Sequence, residues 1–115
     1  MTGIATSSFV GYLVGTTTTR ANTGNLTRND NTKLAELSLD NIGTGAALSP
    51  GTSYKVGAIT TIKPRARIRV DVNRVDSGNA VGTIEMDTEG VINLLPLMTI
   101  PSGVTLRAHF MYFYQ

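Results

Sequence analysis

The chain has no cysteine, no tryptophan and a single histidine. Without cysteine there is neither a disulfide frame nor a thiolate metal site, and redox chemistry says nothing about compartment. One histidine excludes a two-histidine metal cage and ties any Ser-His-Asp triad to His109. No nucleophile-elbow sequence accompanies it. Gly43-Thr44-Gly45 is followed by neither a lysine nor a helical pattern, which argues against a phosphate-binding loop. Asp71, Asp76, Glu85 and Asp87 could supply a glycosidase pair, but two of them face arginines in the register derived below, which makes them ion-pair partners rather than a catalytic acid. Catalysis, a metal and any other cofactor are therefore not expected.

Charge of one sign and long apolar runs are also missing. Ten basic and eight acidic residues leave a net charge of only +2, too little to steer the chain toward nucleic acid or an anionic membrane. No run approaches the ~20 apolar residues of a membrane helix, and residues 1–8 lack the charged start and greasy centre of a signal peptide. The expectation is a soluble chain without membrane insertion. Its 115 residues suit one domain around one core.

What is present is β-sheet chemistry. Thr, Val, Ile, Gly and Asn dominate, and the stretches between Gly and Pro punctuation are too short for most helices. Residues 65–73 alternate polar and apolar at period two, which puts one face on a core. Asp76-Ser77-Gly78 follows, a three-residue hairpin loop ending in the residue that tolerates the left-handed region. Pairing Val75 with Asn79 then sets Ile68 against Met86, Val70 against Ile84 and Val72 against Gly82. On the outer face it sets Arg69 against Glu85 and Arg67 against Asp87, so the arginine row is expected to be neutralised and structural. Thr88-Glu89-Gly90 repeats the device and brings Ile92 to Met86 and Leu94 to Ile84. The result is a three-stranded meander with one greasy side.

The remaining segments are read around it. Residues 9–14 make a buried strand. Residues 16–31 are polar, without a hydrophobic period, and are expected to form a long loop or an arm on a neighbouring subunit. A flexible N-terminal strand and arm or linker over 1–30 thus precedes a head over 31–115. The glycosylation sequon at Asn25 is discounted for want of a secretory signal. Residues 33–39 fit one or two helical turns or a strand; the strand is preferred because no capping box precedes them. Residues 43–51 read as loop. Residues 53–62 read as a strand with Tyr54, Val56, Ala58, Thr60 and Ile62 on one side, ended by Lys63-Pro64. The last strand, 104–114, has Val104, Leu106, Ala108 and Phe110 on its core face and Thr105, Arg107 and His109 on the other. From Met111 onward both faces are apolar, with Met111 and Phe113 on one side and Tyr112 and Tyr114 on the other. These four are the candidate oligomer-contact residues, and the alternative cover is the N-terminal arm. The fold expected is all-β, a compact antiparallel β-sandwich or β-barrel of jelly-roll-like type without substantial helix.

Pro64-Arg65-x-Arg67, the run from Val81 to Leu94, Ile100-Pro101-x-Gly103-x-x-Leu106 and the terminal Tyr112 and Tyr114 together resemble the distal head domain of bacteriophage tail-fibre and receptor-binding proteins, of the kind that infect Gram-positive bacteria. The resemblance covers about residues 54–114. It implies a homotrimeric β head that attaches without cleavage to saccharide on the host cell wall, is joined to other tail proteins of the virion, and is made in the host cytoplasm. It carries no residue-by-residue site. Arg107 and His109, with Asn73 and Arg74 beside the first hairpin, are the candidate glycan-binding residues, because they can donate to sugar hydroxyls. A structural baseplate, head-decoration or fibre-assembly protein is the alternative, and a polysaccharide depolymerase is disfavoured because such enzymes are much longer solenoids.

Overall fold

The computed structural model describes residues 4–6, 9–20 and 24–115. Among these residues ten strands follow one another: β1 (Ile4–Thr6), β2 (Phe9–Tyr12), β3 (Thr19–Arg20), β4 (Asn25–Asn29), β5 (Leu34–Gly43), β6 (Tyr54–Ile59), β7 (Ile68–Arg74), β8 (Ala80–Met86), β9 (Val91–Pro96) and β10 (Thr105–Phe113). They form one sheet in the order β1-β4-β5-β10-β7-β8-β9-β6-β2-β3, antiparallel at every paired neighbour. No described residue is helical. Of the two all-β forms the sequence left open, this is the barrel-like one, a single sheet curled into a half-barrel.

The curl follows from alternation along the strands. Each strand that is apolar on one side must turn that side from water, and right-handed twist sharpened by bulges bends the sheet around it. Leu26, Leu37, Leu39, Ile84, Met86, Ile92, Leu94 and Phe110, from five strands, have no accessible surface inside the curl. β10 is the purest case, with buried and exposed residues strictly alternating along all nine positions. The two arms of the sheet meet near Thr44, which bridges to Val14 and whose hydroxyl donates to the Pro101 carbonyl and accepts from the Val104 amide.

The meander stands as predicted over most of its length. Ile68 faces Met86, Arg69 faces Glu85, Val70 faces Ile84 and Val72 faces Gly82; beyond the second turn Met86 faces Ile92 and Ile84 faces Leu94. Gly78 and Gly90 both take positive φ, 74° and 85°. Two details differ. Asn73 pairs with Ala80, leaving Val81 as the extra residue of a β-bulge, and the Arg74 amide bonds to the Asn79 carbonyl, so the first loop holds four residues rather than three. Arg67 precedes β7 and does not face Asp87. The Asp87 carboxylate accepts the Glu89 and Val91 amides at 2.9 and 3.0 Å, and Arg67 turns to Glu85 instead, Nε to Oε1 3.0 Å.

Three other expectations are corrected. Residues 16–31 are not one long loop: Thr19–Arg20 pair with β2, and Asn25–Asn29 lie between β1 and β5 with Leu26 wholly buried. One leucine and a ladder on each side order the strand without a hydrophobic period. Residues 25–29 of the expected arm are paired into the sheet on both sides; residues 1–3, 7–8 and 21–23 of it lie outside those described. β5 runs on through Gly43, four residues past the stretch read as strand. β6 is shorter than read and carries a bulge between Lys55 and Gly57; Val56, Gly57 and Ile59 are buried, while Thr60 is exposed.

Candidate functional site

β10 lies between β5 and β7, and its outer face is where the chain's less ordinary side chains collect. Arg107 stands opposite Asn73 on β7, and on its other side β5 bulges, because Leu106 pairs with Ile42 while Ala108 pairs with Leu39. The bulge admits Asp40 to the neighbourhood of Arg107. The outcome is a shallow depression of about 240 Å³ lined by Asp40, Asp71, Asn73, Arg107, Ala108 and His109. Its donors are only partly committed. The Asn73 amide nitrogen donates to the Gly78 carbonyl at 2.9 Å, and His109 Nε2 is 2.7 Å from Glu36 Oε1.

Three of the four predicted glycan residues are thereby brought together, and the fourth is not. Arg74 is held in a two-pronged pair with Asp76, Nε to Oδ1 3.0 Å and Nη2 to Oδ2 2.9 Å, at the tip of the β7–β8 hairpin. That hydrogen bonding raises the guanidinium's pKa and lowers that of the Asp76 carboxyl. Arg74 lines a different cleft of about 540 Å³, with Ser77, Asn79, Val81, Met98 and Ile100. Alternation explains the separation: Asn73 and Arg74 are neighbours in sequence and so leave the strand on opposite faces.

The predicted contact residues divide in the same way. Met111 and Phe113 are 52% and 54% exposed, side by side on the outer face. Tyr112 and Tyr114 point inward and are nearly wholly buried, so they are not available to a second subunit as the contact reading supposed. The Tyr112 hydroxyl donates to the Ile62 carbonyl, and Tyr114 bonds to the Asp30 carboxylate. Burial raises the Tyr112 pKa, and the bond to Asp30 raises that of Tyr114.

No protein-family model matches the chain, and no curated protein matches its sequence. The site therefore stands on its geometry. Among the described residues no cluster of three or more His, Asp or Glu is placed to hold a metal ion. Asp40 was not anticipated in the depression, because its arrival depends on the long-range pairing of β5 with β10. Asp71 and Asn73, two residues apart on β7, share one face by alternation alone, a signal the sequence already carries.

Proposed function

We propose that the chain is the attachment head of a bacteriophage tail-fibre or baseplate receptor-binding protein, which holds host cell-surface saccharide without cleaving it and works as a homotrimer. The observation that carries this reading is the depression on the outer face of β10. Two carboxylates accept, a guanidinium and an imidazole donate, and an amide can do either, all from backbone held in paired strands, with Asp40 brought in by the β5 bulge. Neutral polyols present donors and acceptors side by side, and a shallow, mixed-polarity surface meets them at modest desolvation cost. A role in binding, not catalysis, fits side chains so open to water.

The direct experiment is binding of labelled protein to host cells and to purified cell-wall polysaccharide, with soluble sugar as competitor. Saturable binding that sugar displaces supports the reading; its absence removes it. The exposure of Met111 and Phe113 favours a second reading, a structural virion part in which that row only holds subunits together. Under that reading cells and polysaccharide bind nothing, while assembly still depends on Met111.

A further inference from the structure

Resting on the saccharide-attachment reading, we propose that a second cleft, between the segment preceding β7 and the end of β10, takes a sugar ring that carries an anionic group, a uronate-type carboxylate in the first instance. The cleft holds about 330 Å³ and is lined by Arg65, Ala66, Arg67, Ile68, Tyr112 and Phe113. It exists because the β7–β10 ladder is interrupted. The two strands pair at Leu106 and Arg107, and the chains next meet where the Arg65 amide bonds to the Phe113 carbonyl at 3.0 Å. Over the stretch between, no ladder pair closes the sheet.

Charge is the first argument. Arg67 and Arg69 share one carboxylate, Glu85, at 3.0 and 2.8 Å. Arg65 has no carboxylate within ion-pair reach among the described residues; its Nε donates to the Tyr114 carbonyl. Of the three, Arg65 and Arg67 line the cleft, and the only carboxylate between them is the one Arg67 shares with Arg69, so the cleft keeps a positive excess. Of the arginine row expected to be neutralised, Arg69 does meet Glu85, but Arg67 does not meet Asp87, whose Oδ1 accepts the Glu89 and Val91 amides of its own loop. An Arg fork with open donors is matched in shape and charge by a carboxylate.

Shape is the second. Phe113 is half exposed on a regular strand, and the Arg65 guanidinium sits 5.7 Å from the centre of its ring. Cation–π attraction holds the cation over the aromatic face, so charge and apolar surface are presented together. A pyranose is built the same way: a C–H face that packs on an aromatic ring and, in a uronate, a carboxylate at its edge. The volume lies at the small end of ligand pockets and suits one ring rather than a polymer track. Nucleic acid is disfavoured, because Glu36, Asp40 and Asp71 also lie on the β5, β10 and β7 side of the sheet, and a phosphate backbone needs an unbroken positive path.

The test titrates the full chain with methyl glucuronoside, methyl glucoside, glucose 6-phosphate and a thymidine oligonucleotide, followed by amide chemical shifts and calorimetry. Expected is a glucuronoside affinity about tenfold or more above that of the glucoside and falling with salt. Shifts should centre on residues 65–68 and 112–113, and binding should weaken about tenfold in Arg67→Gln and vanish in Phe113→Ser. Both side chains are exposed, so both variants keep the parent's melting curve; Arg67→Lys, which keeps the charge and loses the fork, recovers part of the affinity. Glucose 6-phosphate binding as tightly supports the anionic-sugar site with phosphate as its source. Equal binding of the glucoside, tighter binding of the oligonucleotide, or indifference to both variants overturns the proposal. So does a scattering mass showing this face covered by a second copy that glucuronoside does not displace. If cells bind the protein but no acidic sugar does, this inference fails and the attachment reading survives; the reverse result removes attachment and leaves the cleft.

Discussion

The Tyr112 hydroxyl donates to the carbonyl of Ile62 at 2.8 Å, inside the half-barrel. Ile62 has φ of 59°, a conformation that a β-branched residue adopts only when its surroundings insist. The phenol satisfies the carbonyl that this turn drives inward. Tyr112→Phe keeps the ring and orphans a buried acceptor, so a loss of about 1–3 kcal/mol is expected, read as a lower denaturant midpoint at unchanged slope.

The same bond predicts behaviour in alkali. Burial holds the Tyr112 phenol, and the bond to Asp30 holds Tyr114, above the ordinary tyrosine range. In the unfolded chain both ionise near pH 10. A group whose folded pKa is raised stabilises the fold fully below its unfolded pKa, and that contribution is lost as pH rises through the folded value. Stability should therefore fall above about pH 10. Absorbance at the tyrosinate band should show a late ionisation step, that of Tyr112 and Tyr114, which coincides with unfolding.

Gly78 and Gly90 close the two hairpins of the meander and separate conformational strain from crowding. A Cβ on Gly78 would meet nothing, so Gly78→Ala loses only the freedom to take positive φ, about 1 kcal/mol. A Cβ on Gly90 would also collide with the Ile59 carbonyl oxygen on β6. Gly90→Ala should lose about 1–3 kcal/mol more than Gly78→Ala in parallel urea melts. Equal losses would mean that β6 yields.

The Arg69–Glu85 contact, though two-pronged, adds little to stability. Arg69 and Arg67 are 61% and 69% exposed, and water screens what they gain from Glu85. Arg69→Ala should change stability by less than about 1 kcal/mol, the more so at high salt.

Met111 offers the check on association. If subunits meet on the outer face of β10, light scattering gives a mass above the 12.2 kDa of one chain, and Met111→Asp lowers it without changing the melt of the separated subunit. A single-chain mass for the parent removes the contact.

These particulars show where sequence reasoning reached and where it stopped. The meander was legible because its information is local: alternation, two short loops with a glycine at the bend, and opposite charges that agree on register. The bulge at Val81 was not, since one extra residue leaves alternation on either side intact and shows itself only in pairing. Asn25–Asn29 were missed because a strand held on both sides needs just one buried leucine. Neither the entry of Asp40 to the depression nor the open seam beside Phe113 could be read, because both depend on which strands β10 chooses as neighbours, and nothing in its own eleven-residue run encodes that.

The position of β10 also bears on how the molecule is made. It is the last of the ten described strands to leave the ribosome, yet, apart from the short bridge at Val14 and Thr44, it is what joins β1-β4-β5 to the six strands from β7 to β3 in the hydrogen-bonded order. Until it emerges, both groups present a bare rim, at β5 and at β7, each a template for a foreign strand. Nascent chains stalled before residue 105 should recruit chaperones and aggregate, and protease resistance should be acquired abruptly, once β10 has emerged, rather than gradually.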